Sequence, residues 1–84
     1  MSDETIAETI ERLVSEEHEL REREAGDSHS ADALAADKQR LQAVEVELDR
    51  CWDLLRQRRA KREFGDDPDD AQARDAETVE RYLQ

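Results

Sequence analysis

LDRCWDLLRQRRAKREFG, residues 48–65, holds the chain's one Cys, one Trp and one Phe together with its densest run of cations. Every residue before Gly65 is compatible with a helix, and no Pro interrupts the run. Leu48, Cys51 and Leu55 continue a four-three spacing that reaches back through Val44, Leu41 and Leu34, with Asp37 in one slot. That is a heptad-like stripe on one long helix. It predicts a second helix over about 31–64, roughly 50 Å long at 1.5 Å per residue.

Upstream, Gly26 stands where a helix C-terminus favours a residue tolerant of positive φ, and Asp27, Ser28 and Ser30 are candidate caps for the second helix. A first helix over about 2–25 is predicted, with Ser2 as N-cap or, alternatively, Thr5 and Glu8 as a capping box. Ile6, Ile10, Leu13 and Leu20 form its stripe, with Glu17 in the intervening slot and Val14 widening the face. Residues 1–65 therefore read as an antiparallel helical hairpin. Folding at 26–30 sets Leu20 near Leu34, Leu13 near Val44 and Ile6 near Cys51, and brings Lys38 and Arg40 within reach of Glu17. In that register helix one ends short, leaving 52–64 to project. A second copy is the simplest cover for Trp52, Leu54 and Leu55, so the fold class is all-α, a coiled-coil-like hairpin dimerising into a four-helix bundle.

Gly65 ends helix two, and residues 66–84 form an acidic tail or short helix. Asp67 is positioned as an N-cap with Pro68 at the first helical position, and Ala76, Val79 and Tyr82 or Leu83 offer a thin apolar stripe. A weakly docked tail is expected.

Composition limits what such a chain does. Leu, Ile, Val and Phe total 15 of 84 residues, too few for an ample self-sufficient core, and oligomerisation is the usual remedy. A net charge of −11 disfavours general affinity for nucleic acid or anionic lipid. One Cys excludes an intrachain disulfide, and no apolar run has the length of a signal or membrane segment, so a cytoplasmic protein with no membrane association is expected. Arg outnumbers Lys 11 to 2, which fits a GC-rich genome or a high-salt cytoplasm.

The candidate sites gather in the stretch from Leu48 to Gly65. Leu48, Cys51, Trp52, Leu55 and Phe64 form a candidate dimer or partner interface, with Trp52 expected to be buried there. Arg56, Arg58, Arg59 and Arg62 form a candidate basic recognition surface: residues 51–64 carry five cations against Asp53 and Glu63, a balance of +3. Nucleic acid is the alternative ligand, but residues 65–84 balance at −5, and an attached acidic tail matches the cluster internally. Cys51 lies on the apolar stripe with no His near it, so a nucleophilic role is disfavoured. His18, among Glu16, Glu17, Glu19 and Glu22, reads as a solvated charged face rather than a metal site. No catalytic set, no cofactor loop and no metal motif is present in the sequence. The expectation is no enzyme, with an unidentified protein as partner.

The run Cys51 to Ala60, continuing through Arg62-Glu63-Phe64-Gly65 and Asp67-Pro68-Asp69, resembles the small bacterial domain of unknown function 2630 family. The Glu16-Glu17-His18 element and the acidic tail extend the resemblance along nearly the whole chain. It implies a bacterial cytosolic protein, largely of actinobacteria, and no function. Where relatives tend to have Pro after the arginine, this chain has Arg74-Asp75, which predicts a more continuous terminal helix.

Overall fold

In a computed structural model of the chain, which describes residues 2–26 and 31–83, two long helices pack antiparallel and the tail returns along the second. Helix α1 spans Asp3–Ala25 and α2 spans Ala31–Glu63; a 3-10 turn at Pro68–Asp70 leads to α3, Ala76–Leu83. No strand occurs among the described residues, and the fold is all-α as read from the sequence. Its radius of gyration, 15.7 Å, exceeds the roughly 12 Å of a compact chain this long. The molecule is a rod of 53 × 25 × 16 Å.

Ser2 caps α1, accepting the Thr5 N–H at 3.1 Å. At the other end Gly26 donates to the Arg23 carbonyl but has φ −77°, so the expected positive φ is not used there. The candidate caps Asp27, Ser28 and Ser30, and His29, lie outside the described residues. Gly65 does require its residue type. Its φ is +79°, its N–H reaches the Arg62 carbonyl at 3.2 Å, and the Asp66 N–H reaches that of Lys61 at 2.8 Å. This is a Schellman stop, and it turns the chain back onto α2.

The core is the meeting of the two stripes. Ile6, Ile10, Leu13 and Leu20 of α1 are buried against Val44, Leu48 and Leu54 of α2, with Leu41, Cys51, Leu55 and Ala71 packed around them. The stripes end in charge. Three residues before Ile6 stands Asp3, which binds Arg58, three residues beyond Leu55. At the loop end Arg23 binds Asp37, which is 8% exposed, at 2.9 Å. Each end of the apolar seam is thus closed by an ion pair, and the two pairs have opposite polarity. Both fix the antiparallel register, because sliding the helices by one turn would strand a buried charge.

That register corrects the one expected from loop symmetry. Asp3 also reaches Arg62, at 2.7 Å, so α1 covers α2 as far as Arg58 and the projecting segment is only its last turns. Leu54, expected to need a second copy, is 8% exposed within its own chain. Arg40 is held by Glu16 rather than Glu17, with its Nη2 2.9 Å from the carboxylate, while Glu17 turns to Arg21 at 3.8 Å. The terminal helix is not continuous either. Asp75 accepts the Thr78 N–H at 2.8 Å and so begins α3 as its cap. An aspartate here bonds to the backbone more favourably at a helix start than inside one.

Candidate functional site

The end of α2 divides into three faces. Toward α1 lie Leu48, Cys51, Leu55 and Arg58, the continuation of the seam. Leu48 is buried, and Cys51 and Leu55 are half-buried. The Cys51 thiol is pushed above its usual pKa by this burial and by Glu47, against the opposing pull of Arg50 and Arg12. It is held in the protonated, weakly nucleophilic form.

Arg58 is the junction of the molecule. Its guanidinium, 9% exposed, donates to Asp3 of α1, to Asp69 Oδ1 at 2.9 Å and to the Pro68 carbonyl at 3.2 Å. The hydrogen bonds it donates to Asp3 and then Asp69 raise its pKa further, and the same contact with Arg58 holds the Asp3 carboxyl below its usual range. Of the four arginines expected on a recognition surface, Arg58 is therefore enclosed and Arg62 is engaged by Asp3. Arg59 meets Glu63 at 3.2 Å on the exposed side, and Arg56 has no ion-pair partner among the described residues. Sequence reasoning misses Asp3 as a partner, although its position on the α1 stripe opposite a cation on the α2 stripe is a legible signal.

The second face carries the tail. Asp53, buried, accepts from Gln57 at 2.9 Å and pairs with Arg74 at 3.4 Å. Gln57 also donates to the Gln72 carbonyl, and Arg50 to that of Arg74, both at 2.9 Å. Val79 of α3 is 1% exposed. The Tyr82 and Leu83 side chains lie outside the described set. Between α2 and the strap opens a cleft of about 630 Å³, lined by Asp53, Arg56, Gln57, Ala60, Lys61, Phe64, Asp66 and Arg74. Phe64 is 83% exposed at its edge.

The third face is bare. Trp52 is 49% exposed and Val14 46%. Val14 is seven residues before Arg21, and Trp52 seven after Glu45, so each pair shares a helix stripe. Since Arg21 bonds Glu45 at 2.7 Å, those stripes adjoin, and Val14 and Trp52 flank one side of the seam. That Val14 and Trp52 share one side of the seam has no mark in the sequence, because Val14 widens a stripe rather than repeating one.

His18 meets Glu22 at 3.1 Å on the exposed surface of α1. Among the described residues no group of three metal-ligating side chains converges, and no helix is long and apolar enough to cross a membrane.

No solved structure matches this chain. Uncharacterised proteins of Mycobacterium tuberculosis, in strains H37Rv and CDC 1551, and of Mycobacterium bovis are each 48% identical to it over 79 residues, covering 94% of this chain and 86% of theirs. A family model described as protein of unknown function (DUF2630) matches residues 2–84. On a match of that extent, with relatives of that similarity, the chain belongs to the DUF2630 family.

Proposed function

We propose that this protein is a non-enzymatic, cytoplasmic, homodimeric helical-hairpin module for protein interaction or regulation. In this reading the Val14–Trp52 side of the hairpin joins two copies, and the end of α2 with its tail meets a further protein. The observation that carries the reading is Trp52: the chain's one Trp is half-exposed, one turn before half-buried Leu55, on the same side of the seam as exposed Val14. An exposed Trp bordered by aliphatic side chains is what an interface anchor looks like before its partner is added. A dimer also answers the shortage of apolar residues. The non-enzymatic part rests on the protonated Cys51 thiol and the surface position of His18.

Size-exclusion chromatography with light scattering tests the dimer at micromolar concentration. A dimer whose Trp52 emission shifts to the red on dilution, and which Trp52→Ala converts to monomer, is expected. A folded monomer with unchanged emission sinks the proposal.

Binding of nucleic acid by the arginine-rich end is the second reading, favoured by Arg56 alone, which has no ion-pair partner among the described residues. Removing the tail releases Arg58 from Asp69 and the Pro68 carbonyl but not from Asp3, which belongs to α1. Salt-dependent RNA binding by a chain ending at Gly65, absent from the full chain, would favour that reading.

A further inference from the structure

We propose that the cleft between the last turns of α2 and the 66–74 strap binds a short peptide segment bearing a carboxylate beside an apolar side chain. Arg56 and Lys61 hold the carboxylate, and Phe64 covers the apolar group. This rests on the reading of the α2 end and tail as a recognition surface, and it supplies the chemistry of the partner.

Size comes first. The feature is a groove of about 630 Å³ open to solvent on one side, a shape for a peptide laid along the surface rather than an enclosed small molecule. Its wall is built rather than accidental: Gly65 at φ +79° reverses the chain, and Gln57 fixes the opposite wall through the Gln72 carbonyl. By helical spacing Arg56 and Lys61 stand on either side of the ridge made by Ala60 and Phe64.

Charge then selects the occupant. Neighbouring cations are engaged: Arg58 and Arg62 by Asp3, Arg59 by Glu63, and Arg74 by Asp53. Among the described residues Arg56 and Lys61 make no ion pair. Asp53, deepest of the lining acids, is answered by Gln57 and Arg74, which leaves Asp66 at the rim as the one opposing charge. The unanswered lining is thus +1, a match for one carboxylate. Acids farther than about 8 Å from the cleft are screened at physiological salt. A nucleic-acid strand needs a track of cations and successive stacking platforms, whereas two cations and one ring form a point. Phe64 supplies an apolar area, and an aromatic at 83% exposure beside a cleft serves binding better than stability.

The test is selection of a displayed random heptapeptide library on the full-length protein, followed by titration of the selected peptide by fluorescence anisotropy. Enrichment of Glu or Asp adjacent to an aromatic or aliphatic residue is expected. Changing that acid to its amide should weaken binding about tenfold, as should the double variant Arg56→Gln with Lys61→Gln, while Phe64→Ala removes the apolar preference. These side chains make none of the hairpin's core, so unchanged helical circular dichroism verifies the fold. No enrichment, or enrichment untouched by the double variant, overturns the proposal. Binding of a labelled single-stranded RNA that the double variant abolishes, without peptide enrichment, overturns it in favour of nucleic acid. Light scattering on the same samples reads the oligomeric state separately, so a monomer that still selects acidic peptides rejects the dimer and keeps the cleft.

Discussion

Helix α2 is gripped from two sides by different chemistry. Toward α1 it offers an apolar seam, with Ile6 and Val44 each 1% exposed, and opposite charges close the seam at Asp3–Arg58 and Arg23–Asp37. Toward the tail it offers polar side chains that reach backbone carbonyls: Arg58 to Pro68, Gln57 to Gln72, Arg50 to Arg74. The first grip gains from excluding water. The second buries Val79 and, among the described residues, little else that is apolar; for the rest it exchanges one set of hydrogen bonds for another, and each such exchange nets only about 1 kcal/mol. An eight-residue α3 adds little intrinsic stability. The hairpin is therefore the stable unit and the tail the part that opens first.

The widest separation between the two should come from Ile6→Ala. Emptying a site that is 1% exposed is expected to lower unfolding stability by about 3 kcal/mol, read as a fall in the urea midpoint. An equal fall for Val79→Ala would erase the distinction. That variant should instead raise amide exchange across 66–83 while the hairpin midpoint stays nearly in place.

Arg58→Met tests the one residue that serves both grips. It keeps a long apolar stem but withdraws every hydrogen bond to Asp3, Asp69 and Pro68. A smaller midpoint loss than for Ile6→Ala is expected, accompanied by faster exchange in the tail. If the tail's protection survives, Arg58 is not the link. Arg59→Ala, at an exposed i,i+4 pair, is the control and should shift nothing measurable.

Gly65→Ala isolates the turn that joins them. An added Cβ meets nothing within 4 Å, so the whole effect is the backbone strain of φ +79°, about 1 kcal/mol. Loss of tail protection without a matching loss in the hairpin is the expected pattern.

The same contrast explains which features can be read from residues alone. Apolar stripes repeat every three or four positions and are visible as periods; Gly65, Asp67 and Pro68 declare a stop and a new start by residue type. Register is misjudged when loop symmetry takes priority over the charges at the ends of both stripes, Asp3 and Arg58 above all. The tail's course is illegible for a different reason. A carbonyl oxygen is present at every residue, so contacts from Arg50 and Gln57 to Arg74 and Gln72 leave no periodic trace. Asp75 carries the same ambiguity, since an aspartate suits either a surface helix position or a cap until the backbone is seen.

Acidity should move the two grips in opposite directions, and this is the finest test. Asp3 and Glu16 are held below their usual range, chiefly by hydrogen bonds from Arg58 and Arg40. Their stabilisation of the hairpin is complete above the unfolded carboxylate range, near pH 4, and fades as pH falls through the lowered folded values. At the tail, Glu80 is pushed up by its contact with Asp49 of α2 and by burial, and its Oε1 is enclosed with no hydrogen-bond partner among the described residues. Arg50, next to Asp49 in sequence, is committed to Glu47 and the Arg74 carbonyl. A protonated Glu80 can donate to Asp49; two carboxylates repel. Docking of α3 is thus favoured below the unfolded carboxylate range and weakens as pH rises through the raised value. Glu80→Gln replaces the proton with a permanent donor, and amide exchange of 76–83 at neutral pH should slow slightly while the urea midpoint of the hairpin is unmoved. Faster exchange in that variant would mean the carboxyl pair is not what limits the tail's hold on α2.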